Sequence, residues 1–198
     1  MARYFALRDR RLGGGVPSRA NLSIFNTDAG VSLANAFVRI NGTARASGGK
    51  IHSMFILCHG YAGSNPNAGV SMDAGGMGLQ LGRENVMHTN VAMWSAIAGK
   101  VDNIVVYSCA AGDTQPGNEG TTADGRYLMG ALAIHTNANV YAADKIQWYH
   151  RHEGLSNGRY EFGAWEGTLY KFPPNGNPPT VIAAPPVEFT DVMMGTAP

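Results

Sequence analysis

Residues 51–60 read Ile-His-Ser-Met-Phe-Ile-Leu-Cys-His-Gly, an apolar run that ends in a histidine and a glycine. Residues 101–109 repeat the pattern as Val-Asp-Asn-Ile-Val-Val-Tyr-Ser-Cys and end in a cysteine. Nearly continuous apolar runs of this length are typical of strands that are buried on both faces of a parallel sheet. We therefore predict one strand in each run, and each strand delivers a reactive side chain, His59 or Cys109, at its carboxyl end.

The segments around these two strands alternate between helix and strand. Between the strands, Asn90 and Gly99 bracket a predicted helix as its N-cap and C-cap. Beyond the second strand, the apolar face of residues 123–136 predicts another helix, and residues 139–143 predict a third strand. This order is typical of a right-handed parallel α/β sheet, in which ligands bind at the carboxyl ends of the strands.

The two ends of the chain carry weaker patterns. Residues 1–20 are basic and glycine-rich with no clear period, whereas the short apolar segments 20–25 and 36–40 favour strands. Residues 158–172 alternate aromatic and polar side chains, which predicts an antiparallel C-terminal hairpin. Paired prolines beyond this segment predict an extended tail. The expected divisions are a single α/β domain over 1–172 and a Pro-rich extended tail over 173–198.

Composition excludes several classes of protein. The chain has 198 residues, of which 44% are hydrophobic and 15% are charged, so it can form one sizeable core. Lys and Arg number 15 against 14 Asp and Glu, a balance that favours neither nucleic acid nor an anionic membrane as a partner. No run approaches the roughly 20 apolar residues of a membrane span, and the start lacks the apolar core of a signal peptide. We therefore expect a cytoplasmic protein.

The residues at the two strand ends have the chemistry of a thiol hydrolase. Cys109 supplies a nucleophile and His59 a base that can take its proton. Gly60 has no side chain, so its amide could join the amide of Cys109 in an oxyanion hole. Ser108 and the small residues after the cysteine let a substrate approach closely. This chemistry requires no cofactor.

The spacing of these motifs resembles that of a known superfamily. A strand ending in His-Gly, with a cysteine fifty positions after the histidine at the end of a second strand, resembles the caspases. The piece Ser-Cys-Ala-Ala-Gly at 108–112 is more similar to the metacaspases and to the bacterial caspase-like domains called CHAT domains, in which a Leu-x-Leu piece such as 79–81 also occurs. The resemblance covers about residues 50–145. It implies a caspase-like three-layer sandwich with a mostly parallel central sheet.

The resemblance also implies roles for acidic residues. Caspase-like enzymes often build the primary specificity pocket just after the third strand, where Asp144 stands and would receive Arg or Lys. Metacaspases place an acidic residue two positions before the nucleophile, but this chain has Tyr107 there. Asp73 and Glu84 are lesser candidates for an acidic role. The implied function is a cysteine endopeptidase acting on peptides or proteins, with cleavage after a basic residue and self-processing within 112–122 as open options.

Other interpretations remain open at this point. The piece Leu57–Ser64 is similar to the His-Gly loop that supplies an oxyanion donor in α/β-hydrolase lipases and esterases, in which case His150 or His152 would be the base. The Gly-x-Ser-x-Gly pattern of that fold is missing around Cys109. A third interpretation is a catalytically silent interaction module. The two histidines at 150 and 152 lack a neighbouring carboxylate or cysteine, so we predict no metal site.

Overall fold

The computed structural model describes residues 3–61, 75–151 and 160–197, and they form an α/β structure around a seven-stranded sheet. The strands are β1 (Tyr4–Asp9), β2 (Leu22–Thr27), β3 (Ile51–Leu57), β4 (His59–Gly60), β5 (Leu79–Gln80), β6 (Val101–Tyr107), β7 (Asn139–Ala143), β8 (Tyr149–Arg151), β9 (Tyr160–Phe162), β10 (Leu169–Phe172) and β11 (Thr180–Val181). The helices are α1 (Leu33–Ala46), α2 (Gly125–Thr136) and α3 (Phe189–Met194), together with a 3₁₀ helix at Val91–Ile97.

The central sheet is mostly parallel, as predicted. Its strand order is β11-β10-β7-β6-β3-β1-β2, and β2, β1, β3, β6 and β7 all run in the same direction. Strand β10 is antiparallel to β7, and β11 is antiparallel to β10. Two short antiparallel pairs, β4 with β5 and β8 with β9, lie outside this sheet. The carboxyl ends of the parallel strands therefore meet at one edge.

Strands β3 and β6 are neighbours at the centre of the sheet, which confirms the prediction from their apolar runs. Residues Met54–Leu57 and Ile104–Val106 are fully buried because helices and aromatic side chains cover both faces. Leu57 lies opposite Tyr107 in the parallel register. This pairing places the residues that follow the two strands side by side.

Helices α1 and α2 and the 3₁₀ helix cover one face of the sheet. The expectation of a strand at 36–40 is wrong, because these residues lie inside α1. Leu33, Phe37, Ile40 and Ala44 recur at helical spacing and are buried on that face, and the Ser32 hydroxyl caps the helix by accepting a hydrogen bond from a main-chain amide. A five-residue window is too short to separate this period from that of a strand.

The other two predicted helices are present with adjusted ends. Helix α2 begins after Asp124, whose carboxylate accepts a hydrogen bond from the Tyr127 amide, so it starts two residues later than predicted. The segment bracketed by Asn90 and Gly99 forms a 3₁₀ helix. Asn90 stands at its N-cap position, but its side chain accepts a hydrogen bond from the Met87 amide instead.

The N-terminal segment contains a strand that the analysis of residues 1–20 does not predict. Strand β1 lies between β2 and β3, and Tyr4–Leu7 are completely buried. A four-residue apolar run is long enough for a central strand, although the basic residues on either side obscure it. The strand expected at 20–25 is present as β2, two residues further along.

The C-terminal segment covers the second face of the sheet and differs from the predicted hairpin and tail. Strands β9 and β10 do not pair with each other, because β9 pairs with β8 and β10 joins the main sheet between β7 and β11. The residues after 173 are not an extended tail throughout. They contribute β11 and α3, and Phe189, Val192 and Met193 of that helix are buried against Phe55 and its neighbours.

None of the helices in the described parts of the chain is long and apolar enough to cross a membrane.

Candidate active site

His59 and Cys109 lie side by side at the carboxyl edge of the central sheet. They follow the paired positions Leu57 and Tyr107, whose side chains pack on the second face of the sheet. His59 is exposed and Cys109 is partly exposed. Both line a pocket of about 470 Å³. The structure therefore brings the two predicted catalytic residues together in an accessible cleft.

The His59 ring is oriented by a backbone carbonyl that follows β1. Its Nε2 lies 3.3 Å from the carbonyl oxygen of Arg11. A carbonyl oxygen only accepts hydrogen bonds, so this contact requires the proton of the neutral ring to be on Nε2. Nδ1 is then the unprotonated atom that can take a proton from a thiol.

Arg11 is itself held by a buried carboxylate. Its guanidinium donates to both oxygens of Asp9 at 2.7 and 2.8 Å, and Asp9 also accepts hydrogen bonds from the amides of Arg11 and Gly82. Burial alone raises the pKa of Asp9, but the hydrogen bonds and charge of Arg11 outweigh it and lower that pKa. The ionised Asp9 thus fixes the loop whose carbonyl contacts His59.

The backbone turns sharply immediately after Cys109. Ala110 has a φ of 48°, in the left-handed region that costs a non-glycine residue about 1–2 kcal/mol. Its amide donates to the carbonyl of Lys145, and its own carbonyl accepts a hydrogen bond from the amide of Gly76. Contacts from two other loops therefore hold the turn, and Cys109 stands at the end of its strand instead of entering a helix.

The backbone of Gly60 approaches Cys109 so closely that a residue with a side chain would not fit at this position. A Cβ added to Gly60 would overlap the carbonyl oxygen of Cys109. Tyr61 donates its amide to the carbonyl of Gly78, and hydrogen-bonded pairs alternate along an antiparallel ladder. The amide of Gly60 therefore points away from β5, although Gly60 is not among the described residues that line the pocket.

Cys58 differs from Cys109 in environment, as the alternation along β3 predicts. Cys58 is 1% exposed and packs into the core beneath the helices. Burial raises the pKa of the Cys58 thiol to about 12. This thiol is a core residue and a poor nucleophile.

Ser108 is buried beside His59 and Cys109 and also lines the pocket. Its hydroxyl oxygen lies near Cys58 and Gly60. However, none of the residues that the structure describes makes a hydrogen bond with it. Buried hydroxyl groups normally have a partner, so an unpaired one at a pocket needs an explanation. The substrate-binding role of Ser108 stays a prediction.

Aromatic and aliphatic side chains form the remaining walls of the pocket. They come from four separate parts of the chain, and the ring centroids of Tyr107 and Phe162 are 4.2 Å apart. The apolar wall residues are Leu12, Tyr107, Ile146, Trp148, Tyr149 and Phe162. Trp148 is 68% exposed and stands at the rim.

Searches for similar proteins do not identify a relative. No protein-family model, no curated protein and no solved structure matches the chain. The geometry of the site is therefore the basis for a functional proposal.

The predicted acidic residues are not part of this pocket. Asp144 is absent from the described lining residues, and its carboxylate accepts a hydrogen bond from the amide of Thr168 at 2.8 Å. Glu84 accepts hydrogen bonds from Ser32 and Leu33 at the start of α1. Asp73 lies outside the described residues. The pocket wall thus differs from the basic-specific pocket that the resemblance implies.

Two contributions to the site are not predicted from sequence. Arg11 acts through its backbone carbonyl, which carries no signature in the residue type. Tyr149 and Phe162 reach the pocket through the β8–β9 pair, whereas the sequence favours core or hairpin packing for these aromatics and offers a pocket wall only as an alternative. The side chain of His150 and all of His152 lie outside what the structure describes. Within the described residues, no three His, Cys, Asp or Glu side chains cluster as a metal site.

Proposed function

We propose that this chain is a cysteine endopeptidase of the caspase-like kind. The observation that carries the proposal is the placement of His59 and Cys109 at the adjoining ends of β3 and β6 and in one pocket. The contact from the Arg11 carbonyl to His59 Nε2 supports a base that is already oriented. A nucleophile, a base and an orienting group are the parts that thiol catalysis requires.

In the proposed reaction, Nδ1 of His59 takes the Cys109 proton, and the thiolate attacks the carbonyl carbon of the scissile peptide bond. The amides of Gly60 and Cys109 hold the developing oxyanion, and the unpaired Ser108 hydroxyl can bond a polar group of the bound peptide. His59 then protonates the leaving amine, and the C–N bond breaks to give a thioester on Cys109. Water, deprotonated by His59, hydrolyses the thioester and restores the thiol.

A peptide-library digest tests this proposal. Wild type should cleave members of the library, whereas Cys109→Ala and His59→Ala should each lose at least about 10³-fold in kcat/KM. Cys58→Ala is the matched control because it removes a thiol of the same chain that the mechanism does not use. Cleavage that survives in Cys109→Ala at the wild-type rate would contradict the proposal.

An α/β-hydrolase esterase is less well supported by the geometry. Its nucleophile stands on a tight turn from a strand directly into a helix. In this chain β6 ends at Tyr107 and α2 begins only at Gly125. A comparison of His59→Ala with His150→Ala on an ester substrate separates the two mechanisms, since loss of activity with His150→Ala alone would favour the esterase.

Self-processing within 112–122 stays an open prediction and is not part of the proposal, because this segment contains neither a basic residue nor a large apolar one. The segment 112–122 follows the nucleophile, and its residues 119–122 are exposed. Exposed turns of this kind are preferred sites of cleavage. Incubation of purified wild type and Cys109→Ala, followed by intact-mass measurement, tests it: cuts in this segment should occur only in wild type. The same cuts in isolated Cys109→Ala would rule out self-cleavage.

A further inference from the structure

One wall of the pocket is a layer of neighbouring aromatic rings. Tyr107 and Phe162 have centroids 4.2 Å apart, and Phe162 is 5.8 Å from Tyr149. Trp165 stacks on Tyr107 with centroids 4.7 Å apart, and Phe189 meets Phe162 edge to face at 5.9 Å. Rings packed on several neighbours have little freedom to move, so the wall has a fixed shape.

Three lining residues, Tyr107, Gln147 and Tyr149, have polar groups that already have partners inside the protein. The hydroxyl of Tyr149 donates to the carbonyl of Gly13, and the hydroxyl of Tyr107 accepts a hydrogen bond from the amide of Phe189. The buried side-chain amide of Gln147 donates to two backbone carbonyls at 3.1 and 2.9 Å. These residues therefore present their apolar parts to the pocket.

The described residues that line the pocket include no Asp, Glu, Lys or Arg. Asp144, the acidic residue nearest to the predicted specificity position, is bonded to the Thr168 amide. A charged side chain that entered the pocket would lose hydration without gaining a partner charge from the described lining residues, which is unfavourable. An aromatic or large aliphatic side chain would instead exchange water contacts for ring contacts.

We propose that this pocket selects a large apolar side chain, aromatic or branched aliphatic, on the residue whose carbonyl carbon Cys109 attacks. The proposal rests on the peptidase function and gives its substrate class. At about 470 Å³ the pocket lies within the range that takes a compact organic group. The pocket adjoins the nucleophile, so the side chain next to the scissile bond is the one that it receives.

The direct test is a set of peptides that differ only at the residue before the scissile bond, with Phe, Leu, Arg or Asp at that position. Wild type should cleave the Phe and Leu peptides with kcat/KM at least about 100-fold above that of the Arg and Asp peptides. Cys109-dependent cleavage that favours Arg or Asp would overturn the inference and leave the peptidase proposal intact.

Binding to Cys109→Ala separates the two proposals if no peptide is cleaved. Isothermal titration with the same four peptides should then show tighter binding of the Phe peptide than of the Arg peptide. That result would support an apolar pocket while refuting peptidase activity. Equal binding, tighter binding of Arg, or no binding to any peptide would overturn the inference.

A charge placed in the wall provides a second test. Ile146→Glu puts a carboxylate on the partly exposed rim of the pocket, and it should reduce the preference for Phe over Arg by at least about tenfold. Ile134→Glu, on the exposed side of α2, makes the same substitution away from the pocket and should leave the preference unchanged. If Ile146→Glu and Ile134→Glu have the same ratio of kcat/KM for the Phe peptide to kcat/KM for the Arg peptide, this wall does not contact the selected side chain.

Discussion

Nε2 of His59 lies 3.3 Å from the carbonyl oxygen of Arg11, although 48 residues separate them in sequence. The contact links the end of β3 to the loop that follows β1, two strands that are neighbours in the sheet. Because the carbonyl can only accept, it selects the ring tautomer in which Nδ1 is the base. The ion pair between Arg11 and Asp9 helps to hold this loop in place.

Asp9→Asn should therefore weaken both the fold and the site. The substitution removes a completely buried carboxylate that accepts four hydrogen bonds from Arg11 and Gly82. We expect the free energy of unfolding in urea to fall by about 2–4 kcal/mol and kcat to fall as the His59 orientation is lost.

Asp102→Asn is the matched control for this prediction. Asp102 pairs with Lys50 at 2.6 Å, but both side chains are about half exposed. Surface ion pairs are worth about 0–1 kcal/mol, so this variant should unfold almost as wild type does. An equal decrease in the free energy of unfolding in Asp9→Asn and Asp102→Asn would contradict the prediction that Asp9 stabilises the fold more than a surface carboxylate does.

Gly60→Ala should disrupt the site without removing any functional group. The new methyl group would overlap the carbonyl oxygen of Cys109, so β4 and the nucleophile turn must move apart. Catalytic groups must be held closely, and a shift of about 1 Å can cost about 100-fold in rate. We therefore expect at least that loss in kcat/KM.

Gly42→Ala supplies the comparison. Gly42 lies on the exposed side of α1, and an added Cβ meets nothing within 4 Å. The substitution should raise the free energy of unfolding by about 0.5–1 kcal/mol, as alanine does in a helix, and leave the rate unchanged. A Gly60→Ala protein with wild-type kinetics would show that the close approach has no bearing on catalysis.

How much of this molecule can be predicted from sequence depends on the length of each pattern. The runs that end at Leu57 and Tyr107 predict central strands because complete burial on both faces requires continuous apolar residues. The same runs predict that His59 and Cys109 meet. A short window such as 36–40 is ambiguous, because the helical repeat of α1 becomes visible only when Leu33 and Ala44 are included.

The rest of the site depends on contacts that a single sequence does not reveal. The Arg11 carbonyl is a backbone atom whose position follows from the pairing of β1 with β3. The aromatic wall joins Tyr107 to Phe162 and Tyr149, which are more than 40 residues away, so no local period indicates that they meet. Asp144 illustrates the opposite case, since its position next to β7 suggests a pocket residue, yet a nearer partner, Thr168, occupies its carboxylate.

Acid should destabilise the protein partly through Glu84. Burial raises the pKa of this carboxyl, but hydrogen bonds from the Leu33 amide and the Ser32 hydroxyl lower it to about 2, from 4.5 in an ordinary environment. A lowered folded-state pKa means that the stabilisation is complete above about pH 4.5 and is lost as the pH falls toward about 2.

Glu84→Gln should remove this pH dependence. Urea midpoints measured between about pH 2 and 5 should fall less steeply for Glu84→Gln than for wild type, and at pH 7 the variant should be about 1–2 kcal/mol less stable. Glu119→Gln, at an exposed position outside this contact, should follow the wild-type slope. If the urea midpoints of wild type and Glu84→Gln fall equally steeply with decreasing pH, Glu84 does not contribute to the loss of stability in acid.

Alkylation by iodoacetamide distinguishes a working thiol site from a silent module. Cys109 is partly exposed beside His59, whereas Cys58 is buried and its pKa is raised to about 12, which keeps it protonated at neutral pH. We expect Cys109 to react at least about tenfold faster than Cys58, and His59→Ala to slow the labelling of Cys109. Peptide mass mapping after timed labelling gives both rates, and labelling in denaturant, where the two thiols should react alike, is the control. Slow and equal labelling of the native protein would favour an interaction module that keeps the fold without the chemistry.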